Sequence, residues 1–437
     1  MRRNCINLNF HNIFKVGIFL LPSAPSISGI IFFISGVNAF FKRKSSYFRD
    51  NWNYPFLIFG FSLLISTIFL THEVINHSVI TSDINLVFDF LNKLNITKDE
   101  FLKLSWLGLF NWIPYILFLW SFQYYSFSYE QRKEIGLVLI SGTVPVFITG
   151  ILQYFFQVNG PFILFNGIIT WFSKPIDGYN GLSGLFSNAN YTGTWLNIIW
   201  PFALVFFIEK NKTNFQKYVS IIFLVLVITT TLLTMSRNAY LGLFIGLILI
   251  YGPKFTKKLV PPLIIIFTPI ILSIGIVRND FLINISRKIV PSIIWKYKFA
   301  EYGLGNLSNY GRVKIWSYAL KFISERPLLG WGSASYPFLY EIETLKYKGH
   351  THNLFLEITF SYGIVSLLIF LFAITLVIWF SYKKNIQSEV IYPNYDSAWR
   401  TSFILILFSQ MFDIQYFDFR IGFMFWFLLG GLRNFIK

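Results

Sequence analysis

Apolar runs of 15 to 25 residues recur along this chain, and its charged residues are confined to short islands between them. A helix needs about 20 such residues to cross the hydrocarbon core of a bilayer, where every backbone polar group must be satisfied within the segment. The pattern therefore leaves little choice but a bundle of membrane-crossing helices. Composition agrees: 54% of the 437 residues are hydrophobic, 20% aromatic and 13% charged. A soluble domain carries about 25% charged residues.

Twelve spans are predicted. The first two, 13–21 and 26–41, form a short hairpin around Pro22 and Pro25. The next are 55–71, 105–124, 135–156, 192–208, 218–234, 239–251 and 259–277, followed by 357–380, 399–413 and 421–433. Ten or eleven remain if the hairpin does not cross twice. The fold class is all-α and polytopic, with about 12 transmembrane helices (10–12).

Loop charges set the orientation, because cytoplasmic loops collect Lys and Arg. Arg2 and Arg3, Lys42 to Lys44 with Arg49, and Arg132 and Lys133 fall on one side. Lys210, Lys212 and Lys217, Lys254, Lys257 and Lys258, Lys383 and Lys384, and finally Arg433 and Lys437 join them. Both termini are then cytoplasmic, and three longer segments, 72–104, 157–191 and 278–356, lie outside. The chain divides into an N-terminal bundle (1–277), a large external loop (278–356) and C-terminal helices (357–437). The same rule accounts for the net charge of +17 without a nucleic-acid partner. One cysteine, Cys5, excludes an internal disulfide and a cysteine metal site.

Within the large loop, "GRVKIWSYALKFISERPLLGWG" reads as a helix with Val313, Trp316, Leu320 and Ile323 on one face. Pro327 and the Gly330–Trp331–Gly332 turn end it. Such a helix is predicted to lie along the membrane interface, with Arg312 at its start.

The spans lack a mid-membrane ionisable relay; Lys15, Glu357, Arg400 and Asp413 sit towards span ends. Pumps and coupled transporters keep such groups inside the bundle, which speaks against transport. Candidate functional residues gather at the outer ends of spans instead. Arg237, in "LTMSRNAYLG", occupies a minimal turn. It is either an interfacial anchor or a cation for phosphate, whose oxygens match the guanidinium fork. Arg312 has the same two readings. In "GLSGLFSNANYTG", Asn188 and Asn190 stand at a turn-rich helix entry that is structural or binds a sugar hydroxyl. "GHTHNLFLEITFSYGIVS" places His350 and His352 where the long loop meets a span. Without HExxH or a nearby carboxylate cluster a metal site is not predicted. The histidines are either satisfied structurally or used as a general base, with Glu357 available to orient an imidazole.

One reaction would use these parts together. Outside the cytoplasm a glycosyl group arrives already activated on a lipid pyrophosphate. Fixed arginines stabilise the charge on the leaving group, and a histidine takes the proton of the attacking hydroxyl.

These motifs resemble the O-antigen ligase family, within the larger group that includes O-antigen polymerases and protein O-oligosaccharyltransferases. The family pattern is H-[N/S/Q], nine residues, then G-x-x-G. Here it reads His352–Asn353, nine residues, Gly363–Ile364–Val365, with Ser366 in place of the last glycine. "GRVKIWSYALKFISERPLLGWG" is similar to the family's R-x3-W…P-L-L-G-x-G stretch, and "TMSRNAYLG" to its S-R-x-x-x-L turn. "GLFSNANYTG" is similar to its G-x-F-x-N-P-N segment, with Ala189 at the proline. The resemblance covers about residues 180–370.

It implies a GT-C-like, metal-independent, inverting glycosyltransferase without a cofactor, in a bacterial inner membrane with a periplasmic active site. His352 would be the catalytic base. Arg237 and Arg312 would hold the pyrophosphate of an undecaprenyl-linked donor, with His350, Asn353 and Asn190 as further substrate-binding candidates. The acceptor would be lipid A-core or another hydroxyl. Polymerase and protein glycosyltransferase activities share donor and chemistry, and an anion carrier of the bicarbonate-transporter kind is the alternative from another class.

Overall fold

The computed structural model describes residues 9–47, 49–76, 96–176, 181–273, 279–289, 311–387 and 393–435. Cys5, Arg2, Arg3 and Lys437 lie outside the described residues, as do much of the predicted 72–104 segment and residues 290–310 of the large loop. The chain is an all-α polytopic membrane protein, with one short β-hairpin among the described residues.

In chain order the helices are α1 (Phe10–Leu20), α2 (Pro25–Tyr47), α3 (Tyr54–Asn76), α4 (Lys98–Gly108), α5 (Ile113–Phe122), α6 (Tyr129–Gly142) and α7 (Val144–Phe156). After the hairpin strands β1 (Phe162–Leu164) and β2 (Ile169–Trp171) come α8 (Ala189–Ile208), α9 (Asn214–Leu233), α10 (Arg237–Tyr251), α11 (Pro253–Ser273) and α12 (Asp280–Ile289). The last are α13 (Gly311–Glu325), α14 (Tyr336–Thr344), α15 (Leu354–Gln387), α16 (Tyr395–Ser409) and α17 (Phe419–Asn434). Each of the twelve predicted spans falls mainly on helix. By length and composition, seven helical stretches of the described residues can cross a membrane: Pro25–Lys42, Asn51–Ile75, Lys98–Ser126, Tyr129–Phe156, Ala189–Ile208, Asn214–Leu233 and Leu354–Lys383. Phe10–Leu20 and Arg237–Tyr251 are shorter apolar helices.

The bundle is built around α8, whose residues from Thr192 to Phe206 are all buried, and α17, buried from Arg420 to Asn434. Helices α9, α10 and α16 pack on α8. Close approach needs small residues, as is general where lipid offers no hydrophobic drive. Gly193 lies against Ser236 and Ala239, and Gly242 against the Asn197 side chain. This places the turn before α10 beside the first turns of α8.

A second, smaller core lies at one end of the bundle. Ile315, Ala319 and Phe322 of α13 bury with Trp331, Tyr336, Tyr340, Phe360 and the end of α3. Tyr336 Oη donates to the Ile315 carbonyl at 2.9 Å and Trp331 Nε1 to the Phe322 carbonyl at 2.7 Å. The packed face of α13 overlaps the stripe read in the sequence in part: Trp316 and Ile323 are half-buried against this core, Val313 and Leu320 are exposed, and Ile315, Ala319 and Phe322 are buried. The PLLGWG segment explains why. It inserts beside α15, which breaks at Gly363 (φ 85°, ψ 166°). The break frees carbonyls of Phe360 and Ser361, which accept from Trp331 N at 2.8 Å and Gly332 N at 3.0 Å, while Ile364 N donates to the Pro327 carbonyl at 2.8 Å. The α13 helix is anchored over that junction.

Candidate active site

The start of α15 and the turn after α16 are sewn together at the end of the bundle near this second core. Asn353 caps α15: its Oδ1 accepts from Phe355 N at 2.9 Å and Leu356 N at 3.1 Å, satisfying two otherwise orphan donors. Its Nδ2 donates to the Met411 carbonyl at 3.0 Å, and Leu354 N donates to the Gln410 carbonyl at 2.9 Å. The substrate-binding candidate Asn353 is therefore committed on both faces of its amide to holding two loops in register.

Those bonds bring His352 to Asp413, with His352 Nδ1 and Asp413 Oδ1 2.7 Å apart. Asn190, in the first turn of α8, donates to the other oxygen, Oδ2, at 3.0 Å, and Ile414 N donates to Oδ1 at 3.1 Å. Asp413 is 8% exposed as a residue. Burial pushes its pKa up, but the His352 hydrogen bond and charge, helped by Arg312 and His350, outweigh burial and hold it below the usual carboxylate value. A carboxylate accepting Nδ1–H fixes the imidazole tautomer and leaves Nε2 as the acceptor. His352 also has φ 55°, a left-handed backbone unusual for a non-glycine residue. Strain of this kind concentrates at functional sites.

His350 stands beside it, ring centroids 4.3 Å apart. His350 Nδ1 accepts from His352 N at 3.1 Å, so that nitrogen carries no proton. Burial first, then the neighbouring His352, lowers the His350 pKa to about 4, against the pull of Asp413. It is neutral near pH 7 and supports the His352 backbone.

Glu357, the carboxylate that the sequence offered as an orienting group, accepts instead from Thr351 N at 3.0 Å. The partner of His352 is Asp413, a residue sequence reasoning passed over as a span-end charge. Its signal was present in "SQMFDIQYFDFR": an acid at the end of an apolar run calls for a partner. Nothing in the sequence specifies that the partner lies 61 positions earlier.

Of the two arginines, Arg312 is the one within electrostatic reach of this cluster. Arg312, exposed at the start of α13, contributes to the field at Asp413. Arg237 is exposed as the first residue of α10. Its neighbour Asn238 donates to Ser409 Oγ at 2.6 Å, and Ser409 closes α16 four residues before Asp413. The turn bearing Arg237 and the turn bearing Asp413 are thereby adjacent. No hydrogen bond joins Arg237 to His352 among the described residues.

His350, His352 and Asp413 present nitrogen and oxygen atoms within 4.8 Å of one another, a set that can hold a metal ion. The pairing as it stands is a hydrogen bond, since two atoms tetrahedrally bound at about 2.0–2.2 Å would sit roughly 3.3 Å apart. His350 Nδ1 is also occupied by the His352 amide.

Residues 222–371 match the family model described as O-antigen ligase. The match contains Arg237, Arg312, His350, His352 and Asn353. Asn190 and Asp413 lie outside it. Among known proteins the chain is similar to two provisionally named polysaccharide ligases. One, from Rickettsia conorii, is 24% identical over 64% of this chain and 62% of its own length. The other, from Rickettsia bellii, is 25% identical over 48% of this chain and 58% of its own length. The chain thus spans less than two thirds of either relative. The motif resemblance and the family match agree: over residues 222–371 this polytopic membrane protein is similar to the family model described as O-antigen ligase.

Proposed function

We propose that this chain is a membrane glycosyltransferase of the ligase kind, moving a glycan from undecaprenyl pyrophosphate to an acceptor hydroxyl during surface-polysaccharide assembly. Its site opens on the periplasmic face of a bacterial inner membrane. The observation that carries the reading is the 2.7 Å contact of His352 Nδ1 with a buried, doubly supported Asp413, which leaves Nε2 as a base.

In the step itself, His352 Nε2 removes the acceptor hydroxyl proton as the oxygen attacks the anomeric carbon. The bond from that carbon to the pyrophosphate oxygen breaks on the opposite face, so configuration inverts and undecaprenyl pyrophosphate departs. Arg312 and Arg237 supply fixed cations for the charge that develops on the leaving group. Asp413 stabilises the imidazolium, and the proton then passes to the departing pyrophosphate or to water. Base catalysis of this kind contributes about 10²–10⁴-fold. Lipid A-core is the acceptor that fits the family domain, and no metal takes part.

The test is a glycolipid gel of cells lacking the gene, complemented with wild type or His352→Ala. Long-chain surface glycan should disappear on deletion while its lipid-linked form accumulates, and only wild type should restore it. An unchanged glycan pattern in the deletion strain would overturn the proposal. Restoration by a membrane-inserted His352→Ala protein would remove His352 from the role of base.

A further inference from the structure

Residues 135–173 contain no Asp, Glu, Lys or Arg. Helices α6 and α7 use the run only as far as Phe156, already enough to complete a crossing. The remaining residues turn at Gln157 (φ 54°) and form the antiparallel hairpin β1–β2, with Phe162 paired to Trp171 and Leu164 to Ile169. All three residues of β1 are exposed. Around the hairpin Phe162, Ile163, Leu164, Phe165, Ile168 and Phe172 present their side chains outward, Ile163 at 62% and Phe165 at 74% exposure. At the end of α7 Phe155 and Phe156 are exposed alongside. A two-stranded ribbon with so much apolar surface is not a water-exposed loop.

The base of the hairpin is fixed. Ser173 N donates to the Gly184 carbonyl at 2.9 Å, Lys174 N to Ser183 Oγ at 3.0 Å, and Trp171 Nε1 to the Ser23 carbonyl at 2.8 Å. The Ser183–Gly184 strip leads into Asn188, which caps α8, and Asn190, which holds Asp413. The first charge after the apolar run, Lys174, stands at this base and is exposed.

We propose that the β1–β2 hairpin is seated in the lipid leaflet on the side of the His352–Asp413 cluster and sets that cluster at headgroup height. The occupant of its apolar surface is acyl chain. Charge placement argues for lipid over a protein partner: the tip and both strands are free of ionisable groups, and the one cation lies at the base, where it meets lipid phosphates. The open edges of a two-stranded ribbon keep it at the interface, since unpaired backbone groups are costly in hydrocarbon. Seating in lipid does not depend on the proposed activity; the consequence for substrate, a pyrophosphate presented at headgroup height, rests on that reading.

The test uses the full chain with its one cysteine replaced, Cys5→Ser, and a nitroxide on Phe165→Cys or Lys174→Cys. The protein is placed in phosphatidylethanolamine–phosphatidylglycerol vesicles. Oxygen should relax the label at 165 and a water-soluble nickel chelate the label at 174. Nickel access at 165 equal to that at 174 would overturn the proposal, and so would exclusion of both reagents, which would mean cover by protein. For the height argument, I163D/F165D should lower transfer about tenfold or more, as a small displacement of reacting groups does. Unchanged transfer by that variant overturns the height argument alone, whereas absence of transfer by wild type would fall on the proposed activity.

Discussion

At the residue scale the cluster makes its members unequal. Asp413→Asn keeps the size of the side chain but can turn an amide N–H towards His352 Nδ1, which forces the proton onto Nε2 and removes the base. Transfer should fall by about 10²–10⁴-fold with the amount of inserted protein unchanged; a loss under threefold would show that Asp413 does not set the tautomer. His350 is separable by pH. Its pKa is lowered from 6.5 to about 4 by burial, so the folded state resists protonation that the unfolded chain accepts. Stability is therefore full above pH 6.5 and declines as pH falls towards 4. Asp413 acts in the same sense but only below its ordinary value of 3.8, outside that window. In detergent the melting temperature of His350→Gln should drop less than that of wild type between pH 6.5 and 4; parallel curves would contradict the burial argument. His352 was legible in the sequence because its motif is local. Asp413 and its support by Asn190 were not, because three distant helix ends must meet before either has a partner.

Helices were legible where a single period or a long apolar run decides them, and the twelve predicted spans fall on helix for that reason. Less legible was what packs against what. On α13 the sequence stripe of Val313, Trp316, Leu320 and Ile323 is no more apolar than that of Ile315, Ala319 and Phe322. The choice is made by Trp331 and Tyr336, which lie beyond the helix. The sequence places segment 157–191 outside the membrane without assigning it an element, and its hairpin has too few residues to declare a strand period. The G-x-x-G pattern has a structural cause: Gly363 takes φ 85°, and a Cβ there would collide with the Leu328 carbonyl. Gly363→Ala should cost about 1–3 kcal/mol through backbone strain, more if Leu328 cannot yield, and lower the yield of monodisperse protein. Ser366, where the family pattern has glycine, donates to the Tyr362 carbonyl at 3.0 Å within its own helix. Ser366→Gly should change stability far less, so equal losses in the two variants on heated size-exclusion would refute this division of roles.

Over the whole molecule, the ionic contacts of the described residues gather towards two ends of the bundle. Arg132 pairs with Asp396, Lys133 with Glu209 and Arg433 with Asp50, joining loops that the charge pattern assigns to one face. At the other end, where His352 and Asp413 share a hydrogen bond, Arg420 meets Asp418 and Arg326 meets Glu73 at 2.5 Å. The last pair ties the two cores together. Arg326 follows α13, its Nε also donates to the Gly330 carbonyl at 3.0 Å, and its guanidinium lies 5.2 Å from the Trp331 ring. Glu73 belongs to α3 of the bundle, and both side chains are largely buried, 8% and 15% exposed. Removing one member of such a pair strands the other without a counter-charge, at a cost of about 3 kcal/mol, whereas removing both relieves it. Arg326→Ala should therefore destabilise the protein and loosen the seat of Arg312 one helix away, reducing transfer as well. Arg326→Met with Glu73→Gln should recover most of the stability because neither charge remains. It should not recover all of the transfer, since the fork that fixes PLLGWG against α3 is still gone. Melting temperature and transfer measured on the same three proteins decide the matter. If the double variant is no more stable than Arg326→Ala, the pair is not what holds the smaller core to the bundle.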